Sequence, residues 1–261
     1  MLTNKIQELE SSGSEADDAD IFEQSLFTIF SDLRNQYGEP GHHVLYKSGT
    51  YGDIKLRLVD PEPSNNSLFS HFLWNAKQAG VQAAEMVTDR EFDVKDQTVV
   101  EMGAGAGVVI SDYPAKEILA NLQHNVETNV KAEGRDRVTV TGHLWGDLSD
   151  ELCSTNAGAF TRVIAADCFW MGWQHDNLSK SVAHLLSKDG LFLAIAGYHT
   201  GRAKVASFFD SAAEAGLELV GPIRERDVEG NERPWERDRG REDPVEQKRW
   251  LAIGLFKHKD C

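Results

Sequence analysis

The sequence predicts an α/β fold in which a doubly wound, mostly parallel sheet carries helices on both faces and a β-hairpin precedes it. Three observations carry this expectation. Residues 98–102 form a strand-prone run that ends in Gly103, Gly105 and Gly107, so a buried strand opens into a loop whose backbone another molecule can approach closely. From Thr98 onward strand and helix patterns alternate, the pattern of a covered parallel sheet. Residues 191–196 are almost continuously apolar, as in a strand buried on both faces.

Residues 1–20 are rich in Ser, Gly, Asp and Glu, with few large apolar residues after Ile6 and Leu9, and read as a disordered tail. An apolar stripe at positions 22, 26, 29, 30 and 33 predicts a helix over 21–33. Two strand patterns, 44–46 and 54–59, flank a Gly-containing turn and predict a hairpin, so 21–66 reads as an extension and 67–261 as the main domain. Residues 68–85 read as a helix containing Trp74. A second strand, 108–112, ends in Asp112, and a helix follows through Ile118, Leu119, Leu122 and Val126. The next strand, 137–141, leads to Trp145-Gly146-Asp147, and 162–167 is a buried strand ending in Asp167 with an apolar loop after it. A helix over 177–186 closes at residues 187–190, strand 191–196 ends at Tyr198-His199, and a helix covers 203–215. Strands at 217–223 and 250–256 bracket a densely charged stretch, 224–247, that reads as a solvated excursion. The two strands are expected to form an antiparallel pair at one sheet edge.

At 261 residues the chain can bury a full sheet between two helix layers. Its formal net charge of −15 excludes nucleic acid as a direct partner, because nothing would neutralise a row of phosphates. Cys153, Cys168 and Cys261 have no close-paired spacing, which indicates neither a disulfide framework nor a metal site. No apolar run reaches the ~18 residues of a membrane span and no secretory signal pattern opens the chain, so the expected location is cytoplasmic.

Five short motifs occur in order: Glu-Met-Gly-Ala-Gly-Ala-Gly at 101–107, Ser-Asp-Tyr-Pro at 111–114, His-Leu-Trp-Gly-Asp at 143–147, Ala-Asp-Cys-Phe-Trp at 166–170 and Ala-Gly-Tyr-His-Thr-Gly-Arg at 196–202. Together they resemble the fungal nicotinamide N-methyltransferase-like branch of the seven-strand, S-adenosylmethionine-dependent methyltransferases, which have a Rossmann-like sheet. Within that branch the resemblance is to the N-terminal and lysine methyltransferases of elongation factor 1-alpha. It implies that Gly103, Ala104 and Gly105 pass under the donor, that Asp112 takes the ribose hydroxyls, that Trp145 flanks the adenine, and that Ala166 and Trp74 close the pocket. It implies a protein amine as acceptor, with elongation factor 1-alpha as the partner. Asp167, Trp170, Tyr198 and His199 are the candidates for an acceptor mouth that holds the amine neutral in apolar, aromatic surroundings.

One departure accompanies the resemblance. The family has a helix between the glycine loop and the strand ending in Ser-Asp-Tyr-Pro, whereas here Gly107 runs directly into Val108. Parallel neighbours ordinarily need a crossover of about a dozen residues. Five residues, 103–107, are expected to return only if taut, which would weaken or abolish donor binding and uncover apolar sheet. Alternatively the strand leaves its parallel place. Three functions therefore stay open from sequence: a protein N-methyltransferase, a small-amine methyltransferase acting on nicotinamide, and a non-catalytic binding module.

Overall fold

The computed structural model describes residues 6–9, 36–37, 40–49, 51–60, 73–74, 83, 86–87, 91–103, 109–227 and 229–259. The chain divides into two compact units, Met1–Asn75 and Ala76–Cys261. The helix expected over 21–33 and most of that expected over 68–85 lie outside the described residues, as do Ala104, Gly105 and Cys261.

In the first unit, strand β1 is Ile6–Leu9, β2 Gln36–Tyr37, β3 His43–Ser48, β4 Gly52–Arg57 and β5 Leu73–Trp74. The expected hairpin is β3 with β4, paired antiparallel from His43↔Arg57 to Ser48↔Gly52. Two expectations are corrected. Ile6–Leu9 belongs to the stretch read as a disordered tail, yet it pairs antiparallel with β3 from Ile6↔Tyr46 to Leu9↔His43. Ile6 and Leu9, too few to build a core, suffice to half-bury an edge strand on a hairpin already present. Leu73–Trp74, read as helical, pairs antiparallel with Gln36–Tyr37 instead. Downstream, Ala83 and Met86 are helical and buried.

The second unit holds β6 (Val99–Met102), β7 (Val109–Asp112), α1 (Lys116–Asn129), β8 (Thr139–Gly142), α2 (Glu151–Thr155), β9 (Phe160–Ala166), α3 (His175–Leu185) and β10 (Leu186–Gly197). After these come α4 (Arg202–Glu214), β11 (Leu217–Leu219), β12 (Arg224–Asp227), β13 (Glu232–Pro234), α5 (Pro244–Gln247) and β14 (Trp250–His258). Its sheet runs in the order β13-β12-β14-β10-β9-β6-β7-β8, with β11 also on β14. Strands β8, β7, β6, β9 and β10 are mutually parallel. β14 runs antiparallel to β10, and both β11 and β12 lie antiparallel along β14, the antiparallel edge the sequence predicts. Residues 187–190, read as a loop, continue β10 through an irregularity between Leu186 and Leu191.

The core follows the two-residue period of the strands. Val100, Met102, Val163, Ala165, Phe192, Ala194 and Ala196 face one cluster, with Leu178 and Val182 of α3 and Val205 and Phe208 of α4. Val99, Ile164, Leu193, Ile195, Leu251 and Ile253 face the other, with Met86 and Phe92.

β6 and β7 remain parallel, with Val100↔Val109 and Met102↔Ser111 in register, so the second strand keeps its place. The connection is not required to be taut. Val109 sits beside Val100, so the chain leaving Met102 must return by two residues and move over by one strand, roughly 8 Å. Tautness would follow only from a longer paired strand than Val100–Met102. Among the described residues the strongly exposed large apolar side chains are Tyr51, Tyr113, Leu144, Trp173, Leu219 and Val220, none of them on β6 or β7, where Val109 and Ile110 are half-buried.

The stretch 224–247 is also corrected. It is not a purely solvated excursion, because Glu225 is wholly buried. Its carboxylate pairs with Arg202 and Arg233 and accepts from the Tyr198 hydroxyl at 2.8 Å, while Glu242 bonds Arg202 at 2.8 Å and Arg233 at 3.1 Å. Charge that reads as surface is here neutralised internally, tying β12 and β13 to the start of α4. A buried pair is costly to break because its partner is left uncompensated, by about 3–5 kcal/mol, whereas exposed pairs contribute about 0–1 kcal/mol. Glu225→Ala is therefore expected to lower unfolding free energy in urea by several times the loss from Asp210→Asn, whose partner Arg237 is 58 % exposed. Equal losses would contradict the buried network.

Candidate active site

The parallel strands bring the carboxyl ends of β8, β7, β6, β9 and β10 to one edge of the sheet, and the order reverses between β6 and β9. Open α/β sheets hold ligands at such a reversal. Gly103 leaves β6 there with φ +93°, a conformation that favours glycine. Its amide donates to the Ser111 carbonyl at 2.9 Å. A Cβ at Gly103 would stand 3.0 Å from Cys168 Sγ and 3.9 Å from Trp145 Cζ2, so Gly103, Trp145 and Cys168 enclose one small space. The Cys168 thiol, buried, donates to the Met102 carbonyl at 2.7 Å and ties the end of β6 to the residues after β9.

Asp112 ends β7; its Oδ1 accepts from the Tyr113 amide at 2.6 Å, and its carbonyl accepts from the His143 amide at 2.8 Å. That second bond links the ends of β7 and β8. Trp145 is half-buried against the main core cluster. Gly146 after it has φ +89°, and a Cβ there would stand 2.6 Å from Asn177 Oδ1. Ala166 ends β9 beside Ile195 of β10 and is half-buried.

Asp167 follows with φ +57°, its amide donating to the Ile195 carbonyl at 2.7 Å. Its Oδ1 accepts from the Gly197 amide at 3.1 Å and its Oδ2 lies 3.7 Å from His199 Nε2. The aspartate side chain is only 7 % exposed and the histidine 31 %. Burial pushes the Asp167 carboxyl up to about 6, against the opposing pull of His199 and of the Gly197 amide. Trp170 lies edge-on to Trp173, ring centroids 6.5 Å apart, and Trp173 is 72 % exposed.

Of the four mouth candidates, Asp167 and His199 are brought together, and Trp170 lies three residues from Asp167 in the same loop. Tyr198 goes elsewhere. It is 1 % exposed, its hydroxyl is committed to Glu225 and Arg202, and the Arg202 guanidinium lies 4.2 Å over its ring. Neighbouring Tyr198 and His199 leave the strand end in different directions, which a reading of the motif as a unit does not anticipate. Trp74 belongs to the first unit, on β5. Sequence reasoning passed over Cys168 as a member of an odd cysteine count; its place directly after the strand-ending acid is the signal that it faces the glycine turn.

The raised Asp167 carboxyl carries a sign for stability. Between about pH 4, where an unfolded aspartate loses its proton, and about 6, the folded protein holds a proton that the unfolded chain has released. Stability contributed at this position therefore falls as pH rises through that window and levels off above it. Urea melts at pH 4.5 and pH 7 should show wild type losing more stability over this interval than Asp167→Asn; parallel losses would refute the assignment.

Comparison with known proteins agrees with this arrangement. Residues 61–215 match the family described as lysine methyltransferase. The chain is 30 % identical over 182 residues to the protein N-terminal and lysine N-methyltransferase EFM7 of Candida glabrata, covering 63 % of this chain and 68 % of that protein. It is also 30 % identical over 221 residues to its Yarrowia lipolytica counterpart, covering 70 % and 77 %. Among solved structures, the glycopeptide N-methyltransferase MtfA complexed with S-adenosyl-L-methionine superposes with a TM-score of 0.50 at 12 % identity, covering 69 % of this chain and 94 % of that one, a likeness of fold. The sheet order, the glycine turn at its reversal and the family match converge: this chain belongs to the lysine methyltransferase family of S-adenosylmethionine-dependent N-methyltransferases.

Proposed function

We propose that this chain methylates a protein amine, a lysine or an N-terminus, with elongation factor 1-alpha as the acceptor protein. The observation that carries the reading is the enclosure at the sheet reversal, where Gly103, Trp145 and Cys168 meet, Cys168 being the residue after Asp167. The residues fit a flat base, a diol and a sulfonium. A Cβ at Gly103 would fill the cradle, Trp145 offers an indole edge to the base, Asp112 brings a carboxylate to the end of the next strand, and Ala166 is small. Ala104 and Gly105 complete the donor set on the resemblance alone. The net charge of −15 supports a basic acceptor surface over an acidic one, and the absence of paired cysteine spacing supports a cytoplasmic setting.

When bound, the donor supplies an electrophilic methyl group on sulfur, taken up by in-line displacement. The chain's own residues have the acceptor to prepare. A lysine with a reference pKa near 10.4 must lose its proton before it attacks. Above about pH 6 Asp167 is ionised and draws the ammonium to the end of β9, while the indole of Trp170 makes the surroundings apolar and disfavours the charged amine. Asp167 Oδ2 takes the proton, and the partly exposed His199 ring, its Nε2 3.7 Å from that oxygen, stands between the carboxylate and solvent. Six residues, 103–108, separate β6 from β7, fewer than the dozen or so that a helical crossover between parallel neighbours takes, and it is the N-terminus of such a helix that commonly faces a ligand. On this reading donor affinity rises when a helical crossover is inserted after Gly107.

Incubation of the full chain with methyl-labelled donor, and with elongation factor 1-alpha or nicotinamide in separate reactions, tests the reading. Label is expected on a lysine or the N-terminal amine of the protein. Label in the pyridine alone, or in neither, overturns it. Asp167→Asn is expected to reduce the rate by about a hundredfold with S-adenosylhomocysteine affinity retained. Gly103→Ala is expected to weaken S-adenosylhomocysteine binding by about tenfold or more, read by calorimetry, because the left-handed backbone and the Cys168 contact both oppose the added methyl.

A further inference from the structure

Behind Trp145 lies a buried cluster that the preceding chemistry does not use. His143 Nδ1 contacts Asp150 Oδ2, His143 Nε2 lies 2.8 Å from Ser181 Oγ, and Ser181 Oγ accepts from the Gly146 amide at 2.8 Å. Asp150 Oδ1 accepts from the Cys153 amide at 2.9 Å and so caps α2. The order Asp, His, Ser is that of a hydrolase triad, and His143, Asp150 and Cys153 also place one potential metal ligand each within 4.8 Å of one another. Neither chemistry suits the surroundings. Ser181 is 0 % exposed and His143 2 %, so no acyl group reaches the hydroxyl. His143 Nδ1 and Asp150 Oδ2 are bonded to each other and Asp150 Oδ1 to the Cys153 amide, so the atoms a metal would take are already spent within the cluster.

The bonds of the cluster are continuous. A serine hydroxyl has one proton and two lone pairs, enough for two partners at once. Ser181 Oγ accepts from the Gly146 amide and is hydrogen-bonded to His143 Nε2, and His143 Nδ1 is bonded in turn to the Asp150 carboxylate. The chain of bonds thus starts on the backbone immediately after Trp145 and ends at the cap of α2. From the solvent side Lys180 Nζ donates to the Gly146 carbonyl at 3.1 Å. Asn177 leaves room only for a glycine at 146. Both peptide groups of Gly146 are therefore held by α3, and the adjoining indole is held over Gly103.

The geometry points to His143 and Ser181 as positioning residues for the methyl donor: through Gly146 they fix the Trp145 ring against the glycine turn, and they act on the donor side of the crevice alone. This inference rests on the donor reading of that crevice. It differs from a general contribution to stability in two ways. It predicts a split between donor and acceptor parameters, and it predicts a local change at one indole.

The test uses the full chain with Ser181→Ala, which removes the central hydroxyl, and Lys180→Met, which removes only the exposed clamp and leaves the buried cluster untouched. Three readouts are taken: calorimetry with S-adenosylhomocysteine, KM for donor and acceptor separately, and the fluorine resonance of 5-fluorotryptophan at position 145, assigned with Trp145→Phe. Loss of a buried hydrogen bond corresponds to about a tenfold change for Ser181→Ala, and the exposed bond of Lys180 to about threefold. Donor affinity should fall and donor KM rise by these factors, with acceptor KM unchanged and the Trp145 resonance displaced. Affinities within twofold of wild type, an unmoved resonance, or equal rises in both KM values would each overturn the inference. If wild type itself fails to bind S-adenosylhomocysteine, the donor reading fails separately. The resonance then still decides whether the anchor holds the indole.

Discussion

Parallel register is the constraint on which the rest of the site depends. Because β8, β7, β6, β9 and β10 run the same way, every residue that follows one of these strands emerges on one edge of the sheet. Asp112, Trp145, Asp167 and His199 are far apart in sequence and share that edge for this reason alone. The antiparallel strands β11, β12 and β14 serve differently, closing one side of the sheet with a buried ion network and extending the apolar cores.

The reversal of strand order between β6 and β9 opens the edge into a crevice, and its floor is made by unusually small separations. Gly103 adopts a left-handed conformation while the Cys168 thiol bonds the carbonyl just before it, so the two strand ends are pinned with no side chain between them. The same closeness explains Asp167. A residue at φ +57° directs its carboxylate back toward the Gly197 amide and away from solvent, and burial raises its proton affinity. Local backbone geometry and acid strength are here two consequences of one turn.

Much of this was legible in the sequence because it depends on local pattern. Glycines at 103, 105 and 107 after an apolar run, and strands ending in Asp112 and Asp167, mark carboxyl ends of strands without knowledge of their partners. What was not legible depends on distant pairing. The strand at Ile6–Leu9 exists because a hairpin some 35–40 residues away offers an edge, and Leu73–Trp74 is extended because Gln36–Tyr37 pairs with it. Tyr198 looks like a site residue from its neighbours, but its hydroxyl is claimed by Glu225, 27 residues on, in a stretch whose charge density resembles solvated surface. The apparent tautness of the glycine connection likewise depended on a paired length that only the register supplies.

The two sides of the crevice are built to different mechanical standards, and the chemistry proposed for them gives a reason. On the side proposed for the donor, Trp145 is backed by bonds that run from Gly146 through Ser181 of α3 and His143 to Asp150, the cap of α2. On the side proposed for the acceptor, Trp170 leans on Trp173, which is largely in solvent, and His199 is partly exposed. A small donor that never varies gains from a preorganised wall, since ordering done during folding is not repeated at each binding event. An acceptor that is itself a folded protein brings its own rigid surface, so its side of the crevice needs exposed aromatic area and one correctly placed carboxylate more than it needs rigidity. The boundary between these two regimes runs through Cys168, buried between the Asp167 turn and Gly103, and a displacement on either side would reach the other through that thiol.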